Sequence, residues 1–133
     1  MAINFIYGPP GGGKTYYAVN HLLSTFYIWD KEKTEYVLKE ENKNLKIVTN
    51  IDEFLPKHHS LHDWIHHSGS SEGFFSYATQ EKIFQKQGSI VYMIDECHEF
   101  FPSNLKNQEV FRWLSYHRHW GQTIYLMSQS HSA

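Results

Sequence analysis

A single cysteine, Cys97, excludes any disulfide within the chain and fits a reducing compartment. An excess of one charge sign is missing too: 12 basic and 14 acidic side chains give a formal net charge of −2 with histidine neutral. That balance offers no broad electrostatic footprint for nucleic acid, although it leaves room for a local basic patch. No apolar run approaches the roughly 20 residues needed to cross a bilayer. No basic segment leads into an apolar one at the N-terminus, as a secretory leader requires. Repeats and low-complexity tracts are absent. The 133 residues are expected to form one domain, residues 1–133, soluble and cytoplasmic as given.

What is present is concentrated near the start. Gly8-Pro9-Pro10-Gly11-Gly12-Gly13-Lys14-Thr15 fits the phosphate-binding pattern G-x-x-x-x-G-K-[ST] at every fixed position. A short apolar run, Ile3 to Tyr7, precedes it and reads as a buried strand. Helical spacing of Ala18, Val19, Leu22, Leu23 and Phe26 follows it. The glycines let backbone amides curl into a nest aimed at phosphate oxygens, and the helix dipole adds positive potential there. Lys14 is expected to reach the β- and γ-phosphates of ATP, and the Thr15 hydroxyl to ligate Mg²⁺. The nucleotide contacts are expected from Gly8, Pro9, Pro10, Gly11, Gly12, Gly13, Lys14, Thr15 and Tyr16.

Further along, 30–44 is charged and reads as a hairpin or an exposed connection. Strands are expected over 45–51, 90–94 and 123–127, and helices over 14–27, 61–67, 77–87 and 109–120, with Gly88 and Gly121 as stops. Alternating helices and apolar strands imply a parallel sheet covered on both faces, with ligands at the carboxyl ends of its strands. The apolar run 90–94 ends in Asp95-Glu96, the Walker B form. Asp95 is expected to hold the Mg²⁺ or one of its waters, and Glu96 to act as general base toward the attacking water. Gln129, after the last strand, is placed to contact the γ-phosphate. Arg112 and Arg118 are candidates for an arginine finger offered to a neighbouring copy, Arg118 foremost.

Ten histidines are many for this length, and His58, His59, His62, His66 and His67 crowd one segment. The i, i+4 spacings 58/62 and 62/66 could seat Zn²⁺, but a solvated polar helix face accounts for them as well. Cys97 reads as a small buried residue. Phe100, Phe101, Phe111, Trp113 and Trp120 read as core or subunit interface.

Taken in order, GPPGGGKT at the N-terminus, the Val48-Thr49-Asn50-Ile51 run, Tyr92-Met93-Ile94-Asp95-Glu96-Cys97-His98, His117-Arg118-His119-Trp120-Gly121 and a strand ending in Gln129 resemble the zonular occludens toxin (Zot) family. That family includes the filamentous-phage assembly protein. The resemblance implies an α/β fold: a P-loop NTPase of the additional-strand class, RecA/FtsK-HerA-like, with a parallel central sheet. It places the first strand beside the last one here, with a further strand outside it. This sequence is therefore expected to be truncated after the fourth core strand, leaving the first strand at an edge. The resemblance further implies a cytoplasmic ATPase that powers phage assembly and extrusion, acts as a homo-oligomer, and works with export proteins at the bacterial inner membrane and with a phage DNA complex. Two other readings of the residues stay open: a non-catalytic nucleotide-binding assembly module, and a small-molecule or nucleoside kinase, although no arginine-rich lid is readable.

Overall fold

A computed structural model describes residues 3–8, 13–67, 74–101 and 108–128. In chain order the elements are β1 (Ile3–Tyr7), α1 (Lys14–Phe26), β2 (Tyr27–Asp30), β3 (Glu35–Leu38), β4 (Lys46–Thr49), β5 (His59–Ser60), α2 (Leu61–His67), α3 (Tyr77–Gln87), β6 (Ile90–Ile94), α4 (Gln108–Tyr116) and β7 (Thr123–Ser128). Tight 3₁₀ turns cover Cys97–Glu99 and His117–Trp120. The strands β1-β7-β6-β4-β5, in that spatial order, form one sheet whose pairings are all parallel; β2 and β3 make a separate antiparallel hairpin. The first strand lies beside the last, the arrangement implied by the resemblance, and 30–44 falls largely within the hairpin and its exit.

Two-residue periodicity distributes the strand side chains between two cores. Ile90, Tyr92 and Ile94 of β6, with Ile124 and Leu126 of β7, face α2, α3 and α4. Val91 and Met93, with Tyr125 and Met127, face α1 and the hairpin. All five β6 residues are buried, as a strand covered on both faces requires. At one side of the sheet β1 pairs with β7 alone among the described strands, and its Phe5 and Tyr7 rings stack at 6.1 Å in partial solvent exposure. Among the described residues no helix is long and apolar enough to cross a membrane.

Local signals explain the helix boundaries. The Ser76 hydroxyl accepts the Thr79 amide at the start of α3, and Gly88, at φ 81°, ends it with its amide on the Phe84 carbonyl. The expected helix 109–120 is split: α4 gives way to the 3₁₀ turn at His117, which tightens the exit and delivers Trp120 to the core beside Trp113. Tyr27 follows Phe26 with no breaker between them, so β2 begins where α1 ends.

A polar chain runs through the α2–α4 side of the core. Trp113 Nε1 donates to Gln122 Oε1 at 2.7 Å, and Gln122 Nε2 donates to Gln80 Oε1 at 3.2 Å. That same oxygen accepts the Tyr92 hydroxyl at 2.9 Å, and Gln80 Nε2 donates to the Phe74 carbonyl. Trp64 Nε1 in turn donates to the Tyr92 oxygen at 3.2 Å. Gln80, Tyr92, Trp113 and Gln122 are fully buried, so each donor needs the acceptor it has. His117 is the exception. Its Nδ1 lies 2.6 Å from the Leu114 carbonyl, which can only accept, so the proton sits on Nδ1 and the buried Nε2 has no partner among the described residues.

Two measurements test this. Gln122→Leu orphans the Trp113 indole N–H and should lower unfolding free energy in a urea titration by about 1–3 kcal/mol; Gln80→Leu, which strands two donors and the Phe74 carbonyl, should cost more. Burial first, and then the Arg118 charge, hold the His117 imidazole below its ordinary value. The unfolded chain therefore takes up a proton near pH 6.5 that the folded chain refuses. Stability should be complete above that pH and decline as pH falls below it. In His117→Asn, whose amide can still donate to Leu114, the decline between pH 7 and pH 5 should be shallower; equal slopes would contradict the assignment.

Candidate functional site

In a parallel sheet every strand delivers its following residue to the same edge. Gly8 follows β1, Asn50 follows β4, Asp95 follows β6, and β7 ends at Ser128. Tyr7 is in register with Ser128 and Ile94 with Leu126, so β1 and β7 end level and β6 ends two residues short of them on the same edge. The Gly8 amide donates to the Ser128 carbonyl at 3.3 Å, extending the β1–β7 ladder to the mouth of the glycine loop.

On the loop side, Gly13 adopts the left-handed conformation, φ 88°, and starts α1 with no side chain to cap the first-turn amides. No acidic residue stands in that turn. A side-chain carbon at Gly8 would lie 3.7 Å from Lys14 Cβ and 3.8 Å from its Cδ, so the Lys14 stem folds back across the strand end. Lys14 and Thr15 are half-buried, whereas Tyr16 is 76 % exposed. Ala18 and Leu22 anchor α1 in the core, and His21 Nε2 pairs with the Tyr125 hydroxyl at 2.8 Å. Pro9, Pro10, Gly11, Gly12 and Gln129 lie outside the described residues.

The acid side is bound more tightly. Asn50 Nδ2 donates to the Asp95 carbonyl at 2.9 Å, and Asn50 Oδ1 accepts the Asp95 amide at 2.7 Å. Thr49 Oγ1 donates to the Met93 carbonyl at 2.7 Å. Asp95 Oδ1 accepts the Glu96 amide at 2.8 Å, and Glu96 takes a left-handed backbone at φ 51°, ψ 49°. Its carboxylate meets His98 Nε2 at 3.5 Å. Asp95 thus stands two strand spacings, about 10 Å, from the line of β1, on the same edge as the loop. Burial, then the charges of Glu96 and Asp95, push the Cys97 thiol up, in keeping with a small buried residue rather than a nucleophile.

Other candidates sit elsewhere. Arg112 lies with its guanidinium 4.3 Å over the Tyr77 ring, at the contact of α3 with α4. Arg118 belongs to the turn that enters β7, at the amino edge of the sheet. A six-residue strand separates it from the carboxyl edge, about 20 Å at 3.3 Å per residue, so a contact with its own loop is out of reach. Among the described residues, no group of three ligands converges in the histidine segment, of which α2 contains His62, His66 and His67 while His58 precedes β5; Glu96, His98 and Glu99 do converge, with ligand atoms within 4.8 Å. Sequence reasoning missed Asn50 as a site residue. The signal was there: it follows a β-branched run just as Asp95 follows its own.

Comparison with known proteins agrees with this layout. No curated protein matches the chain. The crystal structure of the N-terminal domain of zonular occludens toxin from Neisseria meningitidis superposes with a TM-score of 0.64 at 22 % identity, covering 98 % of this chain and 68 % of that one. At that identity the likeness speaks for the fold, a P-loop NTPase-like α/β domain. The family model for zonular occludens toxin (Zot) matches residues 2–133. With the glycine loop and the acid strand set on one edge of the same sheet, the chain belongs to the Zot family.

Proposed function

We propose that this domain binds and hydrolyses Mg·ATP as the motor of a filamentous-phage assembly and export machine. The observation that carries the reading is the sheet order. With β7 inserted between β1 and β6, the strand that leads to Gly13-Lys14-Thr15 and the strand that ends in Asp95-Glu96 open on one edge, two strand spacings or about 10 Å apart. The donor set fits the ligand: first-turn amides and an ammonium for phosphate, hydroxyl and carboxylate oxygens for a hard cation.

In this reading Lys14 neutralises the β- and γ-phosphates, and the amides from Gly8 to Thr15 cradle them. Thr15 and Asp95 would hold Mg²⁺, which when bound would offset charge on the bridging phosphate oxygens. Glu96 takes up a proton from the attacking water or orients that water. Asn50 fixes the backbone of Asp95 and, through it, the turn that presents Glu96. Gln129, which follows Ser128 in the sequence, would report the γ-phosphate. Arg118, at the opposite edge from its own loop, would serve a neighbouring copy in a homo-oligomer. Partners would be export proteins at the cytoplasmic face of the bacterial inner membrane and the phage DNA complex. The carboxylate pair favours hydrolysis over phosphoryl transfer to an acceptor, the kinase alternative; a nucleotide-dependent assembly module without turnover differs only at Glu96 and in what neighbours supply.

Phosphate release, measured with and without Mg²⁺ beside ATP-binding calorimetry, tests these roles. Lys14→Ala should lose measurable ATP binding, and unchanged affinity would refute the loop assignment. Glu96→Gln should retain ATP and lose turnover by about 10²–10⁴-fold; near-normal release would remove Glu96 from the base role. Asn50→Ala should lower kcat by about 10- to 100-fold while ATP affinity stays within a few-fold. A loss of affinity alone would mean that Asn50 serves binding, not the acid turn.

A further inference from the structure

At the far side of the sheet from β1, a cavity of about 790 Å³ opens between the β5–α2 segment and α3. It lies four strand positions from the phosphate-loop strand, roughly 20 Å at 4.8 Å per spacing. Its walls gather cations in a chain whose net charge is negative. Lys82 and Lys86 stand one helical turn apart on the exposed side of α3, with Cβ atoms about 5–6 Å apart. Neither makes an ion pair with a described residue. Facing them are His58, His59 and His67, and Asp63 is the one acid among the lining residues.

The histidines are held in place. His58 Nδ1 lies 2.7 Å from the Pro56 carbonyl and His67 Nδ1 2.7 Å from the Asp63 carbonyl. Since a carbonyl only accepts, each ring keeps its proton on Nδ1. Nε2 is then the atom left for a ligand: it accepts from a protonated phosphate oxygen or, once charged, donates to an ionised one. The His59 ring leans on Trp64 at 4.9 Å. Burial first, and then the nearby Lys46, His58 and Lys57, hold the His59 imidazole below its ordinary value. A cavity that concentrates one sign of charge, with its cations unpaired by described neighbours, attracts anions of matching geometry. Spaced phosphates suit two lysines one turn apart better than a single carboxylate does.

We propose that this cavity is a second anion site, separate from the glycine loop, which takes phosphate groups through Lys82, Lys86 and the His58/His67 ring nitrogens. Free oligophosphate and the backbone of a nucleic-acid strand share that chemistry. The site is independent of the nucleotide reading.

The test uses the full chain carrying Lys14→Ala, so that the loop does not compete, with its fold checked by circular dichroism. Sodium tripolyphosphate and a short oligothymidylate are titrated separately by calorimetry and by NMR of the histidine rings. Saturable binding is expected, with shifted signals for His58, His59 and His67, and it should weaken at least about tenfold when Lys82→Glu and Lys86→Glu are added. A response to tripolyphosphate alone assigns the site to free phosphates; a response to oligothymidylate as well assigns it to a strand backbone. Absence of saturable binding, indifference to the two lysine reversals, or equal displacement by oligoglutamate would overturn the proposal. Wild-type ATP binding separates the two readings: its loss with the cavity still binding sinks the loop assignment alone, and the converse sinks the cavity alone.

Discussion

The buried amide pair Gln80 and Gln122 is the constraint on which the site geometry depends. An unpaired amide in this core would cost about 1–3 kcal/mol per orphaned group, so the pair tolerates few arrangements. Gln122 sits immediately before β7 and is fixed from two sides, by Trp113 on α4 and by Gln80 on α3. Its position sets the register in which Thr123 meets Val91. A one-residue slip would turn Ile124 and Leu126 toward the α1 side and Tyr125 and Met127 away from it. Five residues after Thr123, the same register brings the Ser128 carbonyl to the Gly8 amide. A polar contact in the core therefore determines where the glycine loop begins.

The two sides of the candidate site are held by different means. The acid turn is hydrogen-bonded at each step. A left-handed Glu96 costs on the order of 1 kcal/mol or more. Two bonds from Asn50 and one from Asp95 Oδ1, at about 1 kcal/mol each, offset it. The turn is thus defined before any ligand arrives. The loop side rests on apolar anchoring of α1 by Ala18 and Leu22 and on the His21–Tyr125 bond, while its first-turn amides lack a capping side chain. Amides of that kind gain most from an anion, and a fixed carboxylate turn opposite them gives a cation a defined partner.

Strong local signals made much of the fold legible in the sequence. The apolar run 90–94 is β6 as observed, and the span 77–87 is α3, bounded by Ser76 and Gly88. The place of β1 beside β7 came from the resemblance to the Zot family, and the observed pairing agrees with it. Where the reading fell short, the cause was physical. β5 is two residues long, too short for any periodicity, and owes its existence to pairing with β4. The junction of α1 with β2 carries no glycine or proline. The tightening of α4 into a 3₁₀ turn preserves the spacing of its buried tryptophans, so the pattern alone cannot show it. Gln80 and Gln122 look like surface residues in a sequence, because an amide gives no hint of the partner that allows its burial. Asn50 is hidden for the same reason: its role lies in two bonds to the backbone of a residue 45 positions away.

Strand order also decides what one copy can do for itself. Residues that follow a strand reach the carboxyl edge, and residues that precede one do not. Lys14, Asn50 and Asp95 obey the first condition, Ser128 closes β7 at that edge, and Arg118 obeys the second. The roughly 20 Å length of β7 is a covalent spacer that no side-chain rotation overcomes. Arg112 reaches a different partner, the face of Tyr77, where it helps join α3 to α4. Within a single copy, then, the described cation at the loop is Lys14, and because Arg112 and Arg118 are the only arginines among residues 1–133, any other arginine acting on a bound phosphate must come from outside these residues. Turnover that needs such an arginine would depend on contact between copies, and would vary with protein concentration where simple ATP binding would not.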